Sequence, residues 1–349
     1  IIVKYKHFKQ ALLFKVGSYI DVIKVLGIYL VILGHLPLTN IIFTKFIFSF
    51  HMPLFFFCSG YLFRKNNNIY SDIKKNIHRL LLVMIPYFIL GVLFGIFQDV
   101  FVYKKQFDLQ NNIVEPIHSF VLGKSSIGWM WFLWALFWMR LVYNFYSINV
   151  TISLKRSLAL LITIIGGFIL YYSGLRFNDY QCSAFIFSFP FFCFGCLTKK
   201  IVDKSNYVKY SSSIICLCLV IYLVIFNFSE RINMNALNCG TNYGTFLSIG
   251  SVALIGILLA LMKIKIPARL VAPIVTISNG TLVILGFHGM LIQFFKIVYK
   301  KIFHILLPPP YMDLLSGMCI GILIILILYF PIKYILKSEN KFVRLLAGK

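Results

Sequence analysis

Apolar residues run along this chain in blocks rather than in stripes. Ten mostly apolar stretches fall at roughly 19–38, 43–63, 79–98, 127–147, 157–174, 184–201, 211–228, 243–262, 279–300 and 314–336, separated by polar connections. An α-helix rises 1.5 Å per residue, so about 20 apolar residues cross the hydrocarbon layer of a bilayer. The pattern therefore predicts an all-α integral membrane protein of about ten transmembrane helices, in which each backbone polar group is paired inside a helix. Ten spans with short connections use nearly all of the 349 residues. A single transmembrane domain over 1–349 is expected, with no room for a separate soluble domain. The longest connection, about 99–126, carries the turn signals Asn111-Asn112 and Gly123-Lys124-Ser125-Ser126. A second, stiff one at 304–313 holds Pro308-Pro309-Pro310, and Asn279-Gly280 marks the break where the ninth span begins.

Composition agrees: 60% of residues are apolar, 13% are charged, and mean hydropathy is +0.87. The net charge of +24 suggests nucleic acid until its distribution is read. Basic residues sit between apolar blocks, not along one face, so a lipid bilayer and not a nucleic acid is the expected partner. When the connections are numbered alternately, 23 of the 34 Lys and Arg fall in the set that includes both termini, 9 in the other set, and two inside spans. The positive-inside rule then places both termini in the cytoplasm of a multi-pass cell-membrane protein, which requires an even number of spans. Asp99, Asp108, Glu115, Asp179, Glu230 and Asp313 fall on the opposite, outer side. The basic N-terminal segment resembles a signal peptide, but its apolar run is too long and no small-x-small site follows, so it is expected to remain as the first span. The chain starts with Ile, which suggests a trimmed N-terminus. Cys193 and Cys196 form a C-x-x-C within Phe-Phe-Cys-Phe-Gly-Cys, without His or acidic neighbours, and read as small buried hydrophobes. Cys182 and Cys239 fall in outer connections, where they can pair. No metal constellation appears.

An ionisable side chain inside a span costs at least ~2.5 kcal/mol and is a functional candidate by default. Here these are Asp21, Lys24 and His35 in the first span, His51 in the second, Arg140 in the fourth and His288 in the ninth. Arg140 reads as an anchor that snorkels to the cytoplasmic interface. Lys24 and His35 are eleven residues apart, about three helical turns, so they share one face with about 16 Å of rise between them. Asp21 is placed to neutralise Lys24 across one turn. Such a face serves either a channel between helices or two unrelated tasks, an interfacial lysine and a hydrogen-bonded histidine. His51 lies beside a kink at Pro53, and Ser59-Gly60 permits close helix approach. All four tryptophans lie within 129–138. They form either an interfacial aromatic belt or, through Trp131, Trp134 and Trp138 on one face, a platform for sugar rings.

The arrangement Asp21-x-x-Lys24, ten residues, then His35 resembles the R/K-x10-H signature of acyltransferase family 3. Phe50-His51-Met52-Pro53-Leu54-Phe55-Phe56-Phe57-Cys58-Ser59-Gly60-Tyr61-Leu62 resembles its fucose 4-O-acetylase-like branch. Lys75 to Arg79, Trp131-Phe132-Leu133 and Ile284-Leu285-Gly286-Phe287-His288 sit where that family has related segments. The resemblance spans essentially the whole chain and implies transfer of an acetyl group from cytoplasmic acetyl-CoA, as co-substrate and not as a tightly bound cofactor, to a hydroxyl of a cell-surface polysaccharide or lipid-linked glycan. It implies His35 as general base or transient acyl carrier, His51 as its helper, and Lys24 with Arg79 and Lys75 as a phosphate-binding mouth for CoA. Lys75 has a second explanation in the positive-inside signal. Trp131, Trp134 and His288 are the candidates for acceptor binding. The rival reading is a multi-span transporter or flippase for a glycan intermediate or other small polar substrate, which uses the same topology and buried polar groups.

Overall fold

A computed structural model describes residues 2–124, 131–151, 154–202, 211–234, 237–264, 266–303 and 312–348. Among them every extended element is a helix and there is no β-strand. In chain order these are α1 (Ile2–His35), α2 (Ile41–Tyr61), α3 (Ile69–Phe97), α4 (Glu115–Val121), α5 (Trp131–Asn149), α6 (Lys155–Ser173) and α7 (Cys182–Val202). There follow α8 (Ser211–Phe228), α9 (Tyr243–Lys263), α10 (Ala268–Asn279), α11 (Thr281–Phe303), α12 (Leu314–Lys337) and α13 (Lys341–Leu345).

Four of the long apolar helices begin at an Asn or Asp that the sequence places three residues before a matching amide. Asn40 accepts from Phe43 N (2.8 Å), Asn68 from Ser71 N (2.9 Å), Asn242 from Thr245 N (2.7 Å) and Asp313 from Ser316 N (3.1 Å). Each satisfies one of the amides a helix start leaves open, a contribution of about 1 kcal/mol. The Ser316 hydroxyl and amide also hold the Asp313 carboxyl below its ordinary value.

Among the described residues six helices are long and apolar enough to cross a membrane: those at Ile41–Tyr61, Ile69–Val102, Lys155–Ser173, Asp179–Lys199, Tyr243–Lys263 and Leu314–Lys337. The pair Ala268–Asn279 and Thr281–Ile297, bent by 74°, makes a seventh if counted as one span. The bend falls at the expected Asn279-Gly280 break. Gly280 is needed there because a Cβ would stand 2.3 Å from Ile332 Cγ2 on α12. The other three of the ten expected spans correspond to α1, α5 and α8. Of these, α5 carries Arg140, Asn144 and Asn149, and the apolar stretch of α8, Ser212–Phe228, is short.

α1 is the central strut. It packs on α2, α9, α10, α11 and α12, and Ile20, Ile23, Ile28 and Leu30 to Leu33 are buried on several sides of it. A helix with apolar residues buried on several sides belongs in an interior, and this one is placed there. α2 crosses α7 at backbone contact: a Cβ on Gly60 would lie 1.9 Å from Phe192 O, and one on Gly195 would lie 2.2 Å from Phe57 O. Ser59-Gly60 thus does permit close approach, and Cys196 Sγ donates to Gly60 O at 3.2 Å across the same crossing. Cys193 and Cys196 are buried free thiols, as their apolar context implies, and no cluster of metal ligands occurs among the described residues. Cys182 and Cys239 are free rather than paired; burial pushes the Cys239 thiol up to about 12.

The connection at 99–124 is more structured than its turn signals suggest. Lys105 pairs with Asp99 at 2.8 Å, Asn112 donates to Asp99 at 3.1 Å, and helix α4 follows. Trp129 and the three prolines at 308–310 lie outside the described residues.

Candidate active site

Three helices each carry a histidine at the head of a stripe that runs down into one cavity. On α1 the stripe is His35, Val31, Ile28, Lys24; on α2 it is His51, Phe55, Cys58, Leu62; on α11 it is His288, Leu285, Leu282. The spacing of three or four residues keeps each stripe on one helix face. The cavity, about 300 Å³, is lined by the lower members of all three stripes, by Thr281, and by Phe132, Leu136 and Arg140 from α5.

The histidines stand just above the cavity's head. His35 lies one turn beyond Val31 and is not itself in the lining; its ring meets that of His288 edge to face, with centroids 5.0 Å apart. His51 meets Phe48 in the same way at 5.0 Å, and both His51 and His288 lie within electrostatic range of His35. His288 and His51 are buried, at 0% and 4% exposure, whereas His35 is open.

Each ring is oriented by its own helix. His35 Nδ1 donates to Val31 O at 2.8 Å, His51 Nδ1 to Ile47 O at 2.8 Å, and His288 Nδ1 to Leu285 O at 2.8 Å. A carbonyl can only accept, so Nδ1 carries the proton, and in the neutral ring Nε2 holds the lone pair. Of these three histidines, His35 is the exposed one.

A second opening, the vestibule, lies at the α1–α2 turn. It has a volume of about 470 Å³ and is lined by Gly34 and Leu36, the neighbours of His35, by Pro37, Leu38, Thr39, Ile41 and Thr44, and by Arg231. The short α1–α2 turn keeps this shape because it is pinned to residue 312: Met312 N donates to Pro37 O (2.7 Å) and Thr39 N to Met312 O (3.0 Å). His35 thus stands beside the vestibule, flanked by its lining residues Gly34 and Leu36, and one turn above Val31, the cavity's uppermost residue on α1.

The cavity's charge is one-signed. Lys24 and Arg140 are its charged lining residues, and no carboxylate joins them. Asp21 does not neutralise Lys24: its carboxylate accepts from Ser278 Oγ of α10 at 2.5 Å, and no described carboxylate forms an ion pair with Lys24. Arg140 lines the same cavity instead of serving only as an interfacial anchor. Arg79 is exposed but close enough to Arg140 for their charges to interact; Lys75 is exposed on α3, and neither lines the cavity.

The tryptophans do not join the site. Trp131 is buried against Phe56, with centroids 6.2 Å apart. Trp134 packs on Tyr180 at 5.2 Å, and Trp138 Nε1 donates to Tyr180 O at 3.0 Å. Tyr180 thus packs on the face considered for sugar stacking, and α5 presents Phe132, Leu136 and Arg140 to the cavity.

In comparisons with known proteins, a family model described as an acyltransferase domain matches residues 18–330, from the start of the Asp21–His35 segment to near the end of α12. No curated protein and no solved structure matches the chain.

Proposed function

The chain belongs to acyltransferase family 3, and from that premise we propose that it moves an acetyl group from acetyl-CoA, entering at the Lys24 end, to a hydroxyl of a surface polysaccharide or lipid-linked glycan at the His35 end. Membership establishes a membrane acyltransferase in general. The acetyl donor, the glycan acceptor, the fucose 4-O-acetylase-like branch, ten spans and a cytoplasmic Lys24 end are our reading.

The observation that carries it is the position of His35 one turn above a cavity lined by cations and beside a separate vestibule. Lys24 and Arg140 suit phosphate binding, and Arg79 and Lys75 keep the approach positive. The distance from Lys24 to His35, on the order of 16 Å along α1, suits an extended pantetheine arm that brings the thioester to the histidines. His35 Nε2 takes the proton of the acceptor hydroxyl as its oxygen attacks the thioester carbonyl. The new C–O bond forms, the C–S bond breaks, and the thiolate of CoA leaves and recovers a proton from the imidazolium. His288 and His51 hold the ring's surroundings polar without competing for access. The transporter reading draws no support from the family match.

Two outcomes test this. Purified protein in proteoliposomes should move label from [14C]acetyl-CoA to glycan extracted from cells lacking the gene; movement of glycan without donor, and no labelled ester, would contradict it. Lys24→Ala and Arg140→Ala should each raise the KM for acetyl-CoA about 10- to 100-fold, the value of one charge-assisted bond to phosphate, with kcat moved far less. An unchanged donor KM in Arg140→Ala would remove that residue from donor binding.

A further inference from the structure

The vestibule beside His35 holds one charged residue, Arg231, from the α8–α9 connection. Positive-inside sorting does not account for it, since it lies in the set of connections that is poor in Lys and Arg. No carboxylate among the described residues forms an ion pair with it, including the neighbouring Glu230. A cation–π contact orients it nevertheless. The guanidinium lies over the face of Phe48, 4.3 Å from the ring centroid. Phe48 in turn meets the His51 ring at 5.0 Å, and it stands against Gly34, where a Cβ would come within 3.2 Å of it. Arg231 is thereby supported by a ring that also meets His51 and Gly34, the residue before the reactive histidine. Cation–π contact leaves the N–H groups in the guanidinium plane available, and a planar fork of donors matches a carboxylate or phosphate in bidentate geometry. The rest of the vestibule lining, Gly34, Leu36, Pro37, Leu38, Ile41 and the two threonines, offers no competing anion. Both threonine hydroxyls are turned to backbone carbonyls, Thr39 to Met312 O and Thr44 to Asn40 O.

We infer that Arg231 selects an acceptor bearing an anionic group, a carboxylate or a phosphate, placed so that a neighbouring hydroxyl reaches His35. The inference rests on the acyl-transfer reading above and adds the charge class of the acceptor. The anion has two chemical sources, an acidic sugar within the glycan and the phosphate of a lipid-linked intermediate, and the two separate by chemistry.

The test uses the full-length protein in proteoliposomes, [14C]acetyl-CoA, and total glycan, polymeric and lipid-linked, from cells lacking the gene. Labelled product is resolved by anion exchange, before and after carboxyl reduction in one arm and mild-acid release of phosphate in the other. Label is expected in the anionic fraction. Sensitivity to carboxyl reduction assigns an acidic sugar, and sensitivity to mild acid assigns a lipid phosphate. Arg231→Gln is expected to raise the acceptor KM about tenfold or more, with the donor KM moved less than twofold; Arg231→Lys, which keeps the charge but not the fork, should fall between. Label in the neutral fraction, or an unchanged acceptor KM in Arg231→Gln, overturns the inference while leaving acyl transfer intact. No labelled ester in any fraction with the wild-type protein overturns acyl transfer itself, and the inference with it. A donor KM raised in parallel with the acceptor KM in Arg231→Gln marks a general structural defect and also counts against selection by Arg231.

Discussion

His35→Ala should lower acetyl transfer by about 10²- to 10⁴-fold, the range contributed by a positioned general base, while the protein still inserts and folds. The residue is open, so its removal leaves no buried void of the kind that destabilises a core. His35→Gln sharpens the experiment. Glutamine keeps much of the size and can still donate to the Val31 carbonyl, but it offers no titratable lone pair. It should be as inactive as Ala. Transfer at the wild-type rate in either variant, in properly inserted protein, would take His35 out of the chemistry. His288→Gln separates contact from catalysis, because it alters the 5.0 Å ring neighbour without touching the base.

The second large effect is structural. Gly60→Ala should sharply reduce the yield of folded protein and lower its Tm in detergent. The added Cβ would sit 1.9 Å from Phe192 O, an atom of helix backbone that cannot rotate aside. Relief requires α2 and α7 to part along the crossing where Gly195 already brings the two backbones together. Overpacking of this kind costs about 1–3 kcal/mol even when side chains absorb it, and more when backbone must move. Gly95→Ala is the matched control, since nothing lies within 4 Å of its Cβ position. Equal Tm and yield for the two variants would contradict the close crossing.

What the sequence revealed about the site was whatever lies along one helix. A separation of eleven residues between Lys24 and His35 fixes a shared face whatever surrounds it, and the structure places Lys24 in the cavity wall on the stripe that His35 heads. The break at Asn279-Gly280 and the buried C-x-x-C were legible for the same local reason. What depends on contacts between distant segments was not. Asp21 stands one turn from Lys24, yet it bonds Ser278, a partner supplied by α10. Hydropathy gives the depth of Arg140 in its span but not its azimuth, and azimuth decides between a lipid anchor and a cavity wall. The position of the tryptophans away from the cavity wall follows from the same argument. The phase of α5 is set by Ala135 and Met139, both at 0% exposure, which turns Phe132, Leu136 and Arg140 to the cavity and leaves Trp134 and Trp138 under Tyr180. His288 was visible only as a rare polar residue in a span. Its edge-to-face pairing with His35 requires α1 and α11 to be neighbours, which no local pattern encodes.

The proposed reaction requires donor in the cavity and acceptor in the vestibule to reach the same imidazole. Sealed proteoliposomes of uniform protein orientation, with acetyl-CoA confined to the compartment facing Lys24 and glycan acceptor to the one facing Arg231, test this directly. Labelled ester should form across the intact bilayer, and its formation should stop with His35→Gln. Ester that appears only when donor and acceptor share a compartment would contradict it.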